Sequence, residues 1–361
     1  MKGSLNLANI FGIRVSIHWT FSLLIAYIVF SNWRAGHSPE QILWAVFFTL
    51  CIFATVFLHE LGHAFAAKRF NIQVKSITLL PIGGLASLES MPEKPMEEFI
   101  IAIAGPLVNL AIAMLTALFI DTNSLTNLAS TVQQGIDASN FLTYFFLINI
   151  WLVLFNLIPA FPMDGGRVLR ALLGFKFKHH VATKIAARIG QFIALIFIFI
   201  GFSSNPFLIV IGVFILFSAQ SEASYTETKS LLDGYTTRDA VMRHIATIEA
   251  DQTLNAAVTM LLNGQASIFL VQDKGVAIAS LTRDDIIRGL AEYGRDADIS
   301  NVMNPNLKKI ESSESLEKIY ELLSQKQYPL IVVEENGHFI GAIDLENVLE
   351  FIMVVSNLKP N

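Results

Sequence analysis

The sequence predicts a polytopic α-helical membrane protein with a small membrane-associated β element, followed by a soluble α/β domain. Three observations carry this. The 361 residues are 53% hydrophobic and 15% charged, with a mean hydropathy of +0.54, outside the usual range of soluble domains. The apolar runs stop near Gln220. Beyond them lies ordinary soluble sequence that repeats itself once at an offset of 61 to 62 residues. The expected organisation is a membrane domain over 1–221, a linker over 222–232 and a repeat over 233–355, with copies at about 233–292 and 295–355.

A bilayer core needs roughly 20 mostly apolar residues per helix. The first such run, 15–33, follows a segment with no small-residue cleavage site and reads as a retained span, not a removed signal peptide. Further spans are expected at 41–67, 97–120 and 141–163. Ile189–Ser221 carries no charged side chain, and the break Gly201–Pro206 divides it into two short spans, making six. Between the second and third spans, Val74–Ser90 alternates around Ile77–Leu80, turns at PIGG and resumes as LASLE. That pattern predicts a hairpin or re-entrant strand pair, with an amphipathic connector as the plainer alternative. Cys51, the single cysteine, lies in an apolar run and excludes an intrachain disulfide. The net charge of −5 points to no class of partner, and no nucleic acid is expected.

Lys and Arg collect in cytoplasmic loops. Lys68, Arg69, Lys75 and Lys94 follow the second span, and Arg167, Arg170, Lys176, Lys178, Lys184 and Arg188 follow the fourth, whereas 121–140 has neither residue type. The second and fourth spans therefore end in the cytoplasm, and an even span count puts both termini there.

The chemistry lies in ATVFLHELGH, residues 54–63. His59 and His63 are one helical turn apart, about 40° in projection, so both imidazoles can reach one metal ion with Glu60 beside it. A catalytic zinc site usually takes a third protein ligand and leaves a fourth position for water. The best candidate is Asp164, the single acid in NLIPAFPMDGGR (156–167) at the cytoplasmic end of the fourth span. The second and fourth spans run in the same direction, which brings the three residues to one membrane face. Pro159 and Pro162 interrupt the helix just before Asp164, and irregular backbone at membrane depth requires cover by protein or a water-lined cavity. The plainer alternative is that the histidines hydrogen-bond neighbouring helices, but ionisable groups inside spans are costly and usually functional. His18, alone beside Trp19, reads as an interfacial or packing residue.

HELGH, GPLVN (105–109) and NLIPAFPMDGG together resemble the site-2 protease family of intramembrane zinc metalloproteases, over roughly residues 10–220. The resemblance implies that His59, His63 and Asp164 bind one Zn(2+) and that Glu60 is the general base. It also implies that Asn109 and Asn156 line the site, although each serves equally well as a helix-packing hydrogen bond. A helical substrate has its carbonyls in internal hydrogen bonds and must be partly unwound before attack. The edge of the Val74–Ser90 element could accept the extended chain by strand addition, and site-2 proteases have a comparable β element.

In the tail, AVMRHIATIEADQTL (240–254) matches NVMNPNLKKIESSESL (301–316), and IASLTRDDII (278–287) matches IGAIDLENVL (340–349). Each copy reads as strand, helix, strand, strand, helix. The pattern resembles a tandem pair of CBS modules, which implies adenine nucleotide (ATP or AMP) as a regulatory ligand and a homodimer formed through the pair. Thr282 and Asp285 match the family's nucleotide-binding positions in the first copy, whereas the second has Asp344 and Asn347 there. The alternative is a pair that only dimerises or docks a partner.

The reading is an intramembrane zinc metalloprotease of a prokaryotic inner membrane, acting on a membrane-anchored protein substrate and carrying a cytoplasmic regulatory module. Two other classes stand beside it. One is a catalytically inactive homologue whose nucleotide-sensing tail is the working part, which function surviving Glu60→Gln would favour. The other, a metal transporter, would need more polar residues along its spans.

Overall fold

Large apolar side chains face outward along the helices of the first half of the chain. Leu43, Phe47, Leu50 and Phe65 of one helix, and Leu195, Phe199, Phe207 and Phe217 of two others, are all exposed, while the polar His59, His63, Asn109 and Asp164 are buried. That inversion suits helices bathed in lipid around a polar interior. The computed structural model describes residues 3–81, 83–88, 92, 94–120, 136–264 and 266–358. The chain divides into two compact units, Met1–Ser224 and Tyr225–Asn361.

The first unit opens with strands β1 (Ser4–Ile10) and β2 (Ile13–His18), then helices α1 (Thr20–Arg34) and α2 (Pro39–Arg69). β2 is a correction to the expected first span. Ile13, Val15 and Ile17 alternate with Arg14, Ser16 and His18 at a period of two, so these residues pair as a strand and leave α1 only 15 residues. α2 starts cleanly. Ser38 and Gln41 form a reciprocal capping box, Pro39 occupies the first turn, and Lys68 and Arg69 sit in the last turn against the negative end of the helix dipole.

Next come β3 (Val74–Leu80), β4 (Gly83–Leu88) and α3 (Pro95–Ala117). The expected strand pair is present, but as half of a four-stranded sheet ordered β1-β2-β3-β4, in which β2 and β3 run parallel and the other pairs antiparallel. Ile13, Val74 and Ile77 of the sheet pack with Leu61, Ala64 and Ala67 of α2 and Ile101 of α3, and of the two edge strands, β1 and β4, β4 passes beside Glu60. A Cβ on Gly62 would meet Ala104 O at 2.9 Å, so the glycine allows the backbones of α2 and α3 to touch.

Helix α4 (Phe141–Asn156) follows, then α5 (Asp164–Gly174), α6 (His179–Ser203) and α7 (Pro206–Leu231). α4 stops at Asn156, about two turns short of the expected 163, because Pro159 and Pro162 cannot continue its hydrogen-bond ladder. Asp164 instead opens a helix of its own. α2, α3, α6 and α7 are long and apolar enough to cross a membrane, whereas α4 is a shorter apolar helix. The break between α6 and α7 falls within Gly201–Pro206 as expected, and 222–231 is helical. Of the loop 121–140, residues 121–135 lie outside the described residues.

In the second unit the repeat is realised twice. After α8 (Thr237–Ala240), the first copy runs β5 (Thr247–Glu249), α9 (Leu254–Gly264), β6 (Ile268–Asp273), β7 (Val276–Thr282) and α10 (Arg283–Tyr293). The second runs β8 (Lys308–Glu311), α11 (Leu316–Ser324), β9 (Ile331–Glu335), β10 (His338–Ile343) and α12 (Leu345–Leu358). In each, a parallel pair leads into an antiparallel hairpin, β5-β6-β7 and β8-β9-β10. The bridges Ser280–Asn304 and Met242–Ala342 are equivalent under the repeat, each partner shifted by 62 positions. Each copy buries its own core, around Phe269 and Leu281 in the first and Ile331 and Ile343 in the second.

Candidate metal centre

α2 presents His59 and His63 on one face, and α5 brings Asp164 to them as its first residue. His59 Nε2 lies 3.1 Å from His63 Nε2 and 3.1 Å from Asp164 Oδ2, and His63 Nε2 lies 3.2 Å from the same oxygen. All three residues are buried.

Hydrogen bonds behind the rings decide what these atoms are. His63 Nδ1 lies 2.7 Å from the carbonyl oxygen of Ile101, which can only accept, so Nδ1 carries the proton. For His59 the direction is set by a longer relay. The Phe145 carbonyl accepts from Asn149 Nδ2 at 2.8 Å, leaving Asn149 Oδ1 to accept from Asn109 Nδ2 at 3.4 Å. Asn109 Oδ1 is then free to accept from His59 Nδ1 at 2.5 Å. In the neutral rings both Nε2 atoms are therefore lone pairs, facing each other and a carboxylate oxygen. Such a convergence is repulsive unless a cation lies between the atoms. Tetrahedral zinc with bonds near 2.05 Å would hold its ligands about 3.3 Å apart, and two imidazoles with one carboxylate are a donor set zinc takes. The residues present fit the ion.

Space for it depends on glycine. A Cβ on Gly105 of α3 would stand 2.2 Å from His63 Nε2 and 2.6 Å from His59 Nε2. His59, His63 and Asp164 open onto a cavity of about 430 Å³, whose other lining residues include Glu60, Gly83, Gly84, Asn156 and Arg167. Gly84 of β4 comes close to the side chain of Glu60, where an added Cβ would meet Cγ at 2.6 Å. The edge strand thus runs past Glu60, on the same cavity as His59, His63 and Asp164. The two asparagines separate in role: Asn109 is buried behind His59, whereas Asn156 is half-buried in the cavity wall.

Sequence reasoning missed Asn149, Arg170, Glu98 and Glu222. Arg170, 2% exposed, donates from Nε to Glu98 Oε1 at 2.7 Å and pairs through a terminal nitrogen with Glu222 Oε1 at 2.5 Å. Only the position of Glu98 at the start of an apolar helix could have drawn attention to it.

In the second unit, Thr282 and Asp285 form a capping box at the start of α10. Asp285 Oδ2 accepts from the Thr282 hydroxyl at 2.6 Å and its amide at 3.1 Å, while Arg288 pairs with Oδ1 at 2.5 Å. Asp344 likewise caps α12, accepting the Asn347 amide at 2.8 Å.

The description Peptidase family M50 matches residues 47–200, and CBS domain matches 299–354. A zinc metalloprotease of Methanocaldococcus jannaschii is 30% identical over 359 residues, covering 98% of each chain. Stage IV sporulation protein FB of Bacillus subtilis is 24% identical over 251 residues, 66% of this chain and 82% of the relative. Among solved structures, the site-2 protease from M. jannaschii is 37% identical with a TM-score of 0.44, covering 61% of this chain and 95% of that one.

Proposed function

Because this chain belongs to peptidase family M50, the site-2 protease family, we propose that it is an intramembrane zinc metalloprotease that hydrolyses a peptide bond within or near the membrane-spanning segment of an anchored protein. The observation that carries the reading is the convergence of His59, His63 and Asp164 to 3.1–3.2 Å among apolar helices, with Glu60 on the same cavity. Zinc held there supplies Lewis acidity to a peptide carbonyl and lowers the pKa of water to about 7. Glu60 takes the proton of the attacking water and returns it to the leaving amine. The free edge of β4 accepts the unwound substrate as an added strand, and Gly83 and Gly84 let its backbone pass close to Glu60. The apolar cavity wall, including Val56, Leu152, Phe155 and Phe214, suits a substrate drawn from lipid.

The Lys and Arg pattern supports cytoplasmic termini, and the family resemblance supports a prokaryotic inner membrane. The second unit is then open to cytoplasmic nucleotide, and we assign to its CBS pair an adenine-nucleotide response centred on Thr282 and Asp285. Asp285 Oδ2 accepts twice from Thr282 and Oδ1 accepts only from Arg288, so Oδ1 keeps a lone pair for a ribose hydroxyl. Equilibrium binding to the full chain, compared with Asp285→Asn, tests this.

The deciding experiment is zinc per chain in detergent-purified protein, followed by cleavage of an anchored substrate. About one zinc, sharply weakened in His59→Ala and Asp164→Ala, is expected for three protein ligands. Cleavage should vanish in Glu60→Gln, which retains its zinc. A folded chain that binds no divalent metal ends the protease reading.

A further inference from the structure

We propose that Arg170, gripping Glu98 and Glu222, is a positioning residue that holds Asp164 at the metal centre; the inference rests on the metal reading above. Asp164 opens α5 directly after 157–163, a stretch of turns and bends containing Pro159 and Pro162. Such a lead-in does not by itself aim the carboxylate, so the placement of Asp164 follows from how α5 is anchored. The buried residues of α5 are Asp164, Gly165, Gly166, Arg170 and Ala171. Gly165 and Gly166 let the helix lie against the backbone of 157–161 but offer nothing that sets its rotation or height. Arg170 is the one long side chain among the five.

Its guanidinium ties α5 to two other helices. Nε and one terminal nitrogen reach Glu98 Oε1 of α3 at 2.7 and 2.6 Å, and the other terminal nitrogen reaches Glu222 Oε1 of α7 at 2.5 Å. α3 is also the helix that orients both histidines, through Ile101 O and Asn109, and Glu98 lies less than one turn before Ile101. The Arg170–Glu98 pair therefore sets the spacing between the helix bearing Asp164 and the helix that aims His59 and His63. The guanidinium also lies 5.0 Å from the centre of the Phe161 ring, which extends the same hold to the lead-in. A buried ion triad is a poor source of net stability, since well-packed apolar replacements are often neutral or stabilising. Geometry is what it supplies here, and the planar fork of arginine fixes direction as lysine cannot.

The test uses the full chain in detergent, with zinc affinity from chelator competition, the visible spectrum of the cobalt-substituted protein, and melting of the metal-free form. Arg170→Lys keeps the charge and loses the fork. The triple change Arg170→Met, Glu98→Leu, Glu222→Leu fills the site with apolar side chains. Zinc affinity should fall about 10-fold or more in both, as for other residues that orient ligands, and the cobalt spectrum should change. The metal-free melting point should stay level or rise in the triple variant. Glu222→Gln, at the end of the triad that is 34% exposed, is the mild variant if the other two do not fold, and should show the same changes on a smaller scale. Unchanged zinc affinity and an unchanged cobalt spectrum in a folded variant would overturn the proposal. An unaltered chain that binds no zinc would instead remove the metal centre itself.

Discussion

His59 Nδ1 and Asn109 Oδ1 lie 2.5 Å apart, and the direction of that hydrogen bond is set by a backbone carbonyl, that of Phe145, through Asn149. Asn109→Ala removes the acceptor, frees the ring to rotate and lets the proton move to Nε2. Zinc affinity should then fall by about 10- to 100-fold, the usual effect of losing a group that orients a metal-binding histidine. Asn109→Asp, which keeps an acceptor, should recover part of it. Chelator competition on the folded full chain measures both, and equal affinities for the unaltered chain and the Asn109→Ala variant would mean that the relay does not hold the ring.

Gly105→Ala should eliminate stoichiometric zinc. The added methyl would stand 2.2 and 2.6 Å from the two Nε2 atoms, inside the space the ion needs, and it sits on a helix that cannot yield without moving Ile101 and Asn109. Metal content by atomic absorption reads the outcome. Gly264→Ala, where a Cβ meets nothing within 4 Å, is the control that should leave zinc unchanged.

Gly84→Ala should give the opposite split. Its methyl would press on Glu60 Cγ at 2.6 Å, and its three nearest atoms all belong to Glu60, so zinc content should be retained while the acid is displaced. A shift of about 1 Å in a reacting group can reduce turnover on the order of 100-fold. Steady-state cleavage with a zinc measurement on the same sample separates the two glycines. Loss of zinc in Gly84→Ala would show that β4 supports the ligands and not the base.

The contrast between what could and could not be foreseen follows sequence distance. His59, Glu60 and His63 are legible because a polar trio in an apolar run has few other uses, and Asp164 because the prolines beside it announce irregular backbone at membrane depth. The strand pair at 74–88 shows a period of two and a glycine turn, whereas β2 was hidden because Val15–His18 run straight into the apolar stretch of α1. Arg170 shared the look of a loop cation that marks the cytoplasmic side, since its partners lie 72 and 52 positions away. Thr282 and Asp285 illustrate a third case, in which one spacing serves two readings: the pair that suggests a ribose site is also a helix capping box, and the structure displays the second.

Asp344 allows a test of the second unit that does not depend on nucleotide. Burial pushes its carboxyl above the usual carboxylate range, although the Asn347 amide pulls the other way. A carboxyl raised in the fold favours the folded state only below its unfolded value, near 3.9, and that contribution is lost as pH rises through the folded value. At neutral pH the buried charge is therefore a liability. Asp344→Asn removes it while keeping an oxygen to accept the Asn347 amide, and asparagine caps helices as well as aspartate does. Amide-exchange protection of β9 and β10 in the full chain should rise at pH 7 and the gain should shrink toward pH 4, where aspartate takes up its proton. A gain independent of pH would mean that packing around position 344, and not its charge, sets the stability of the second copy.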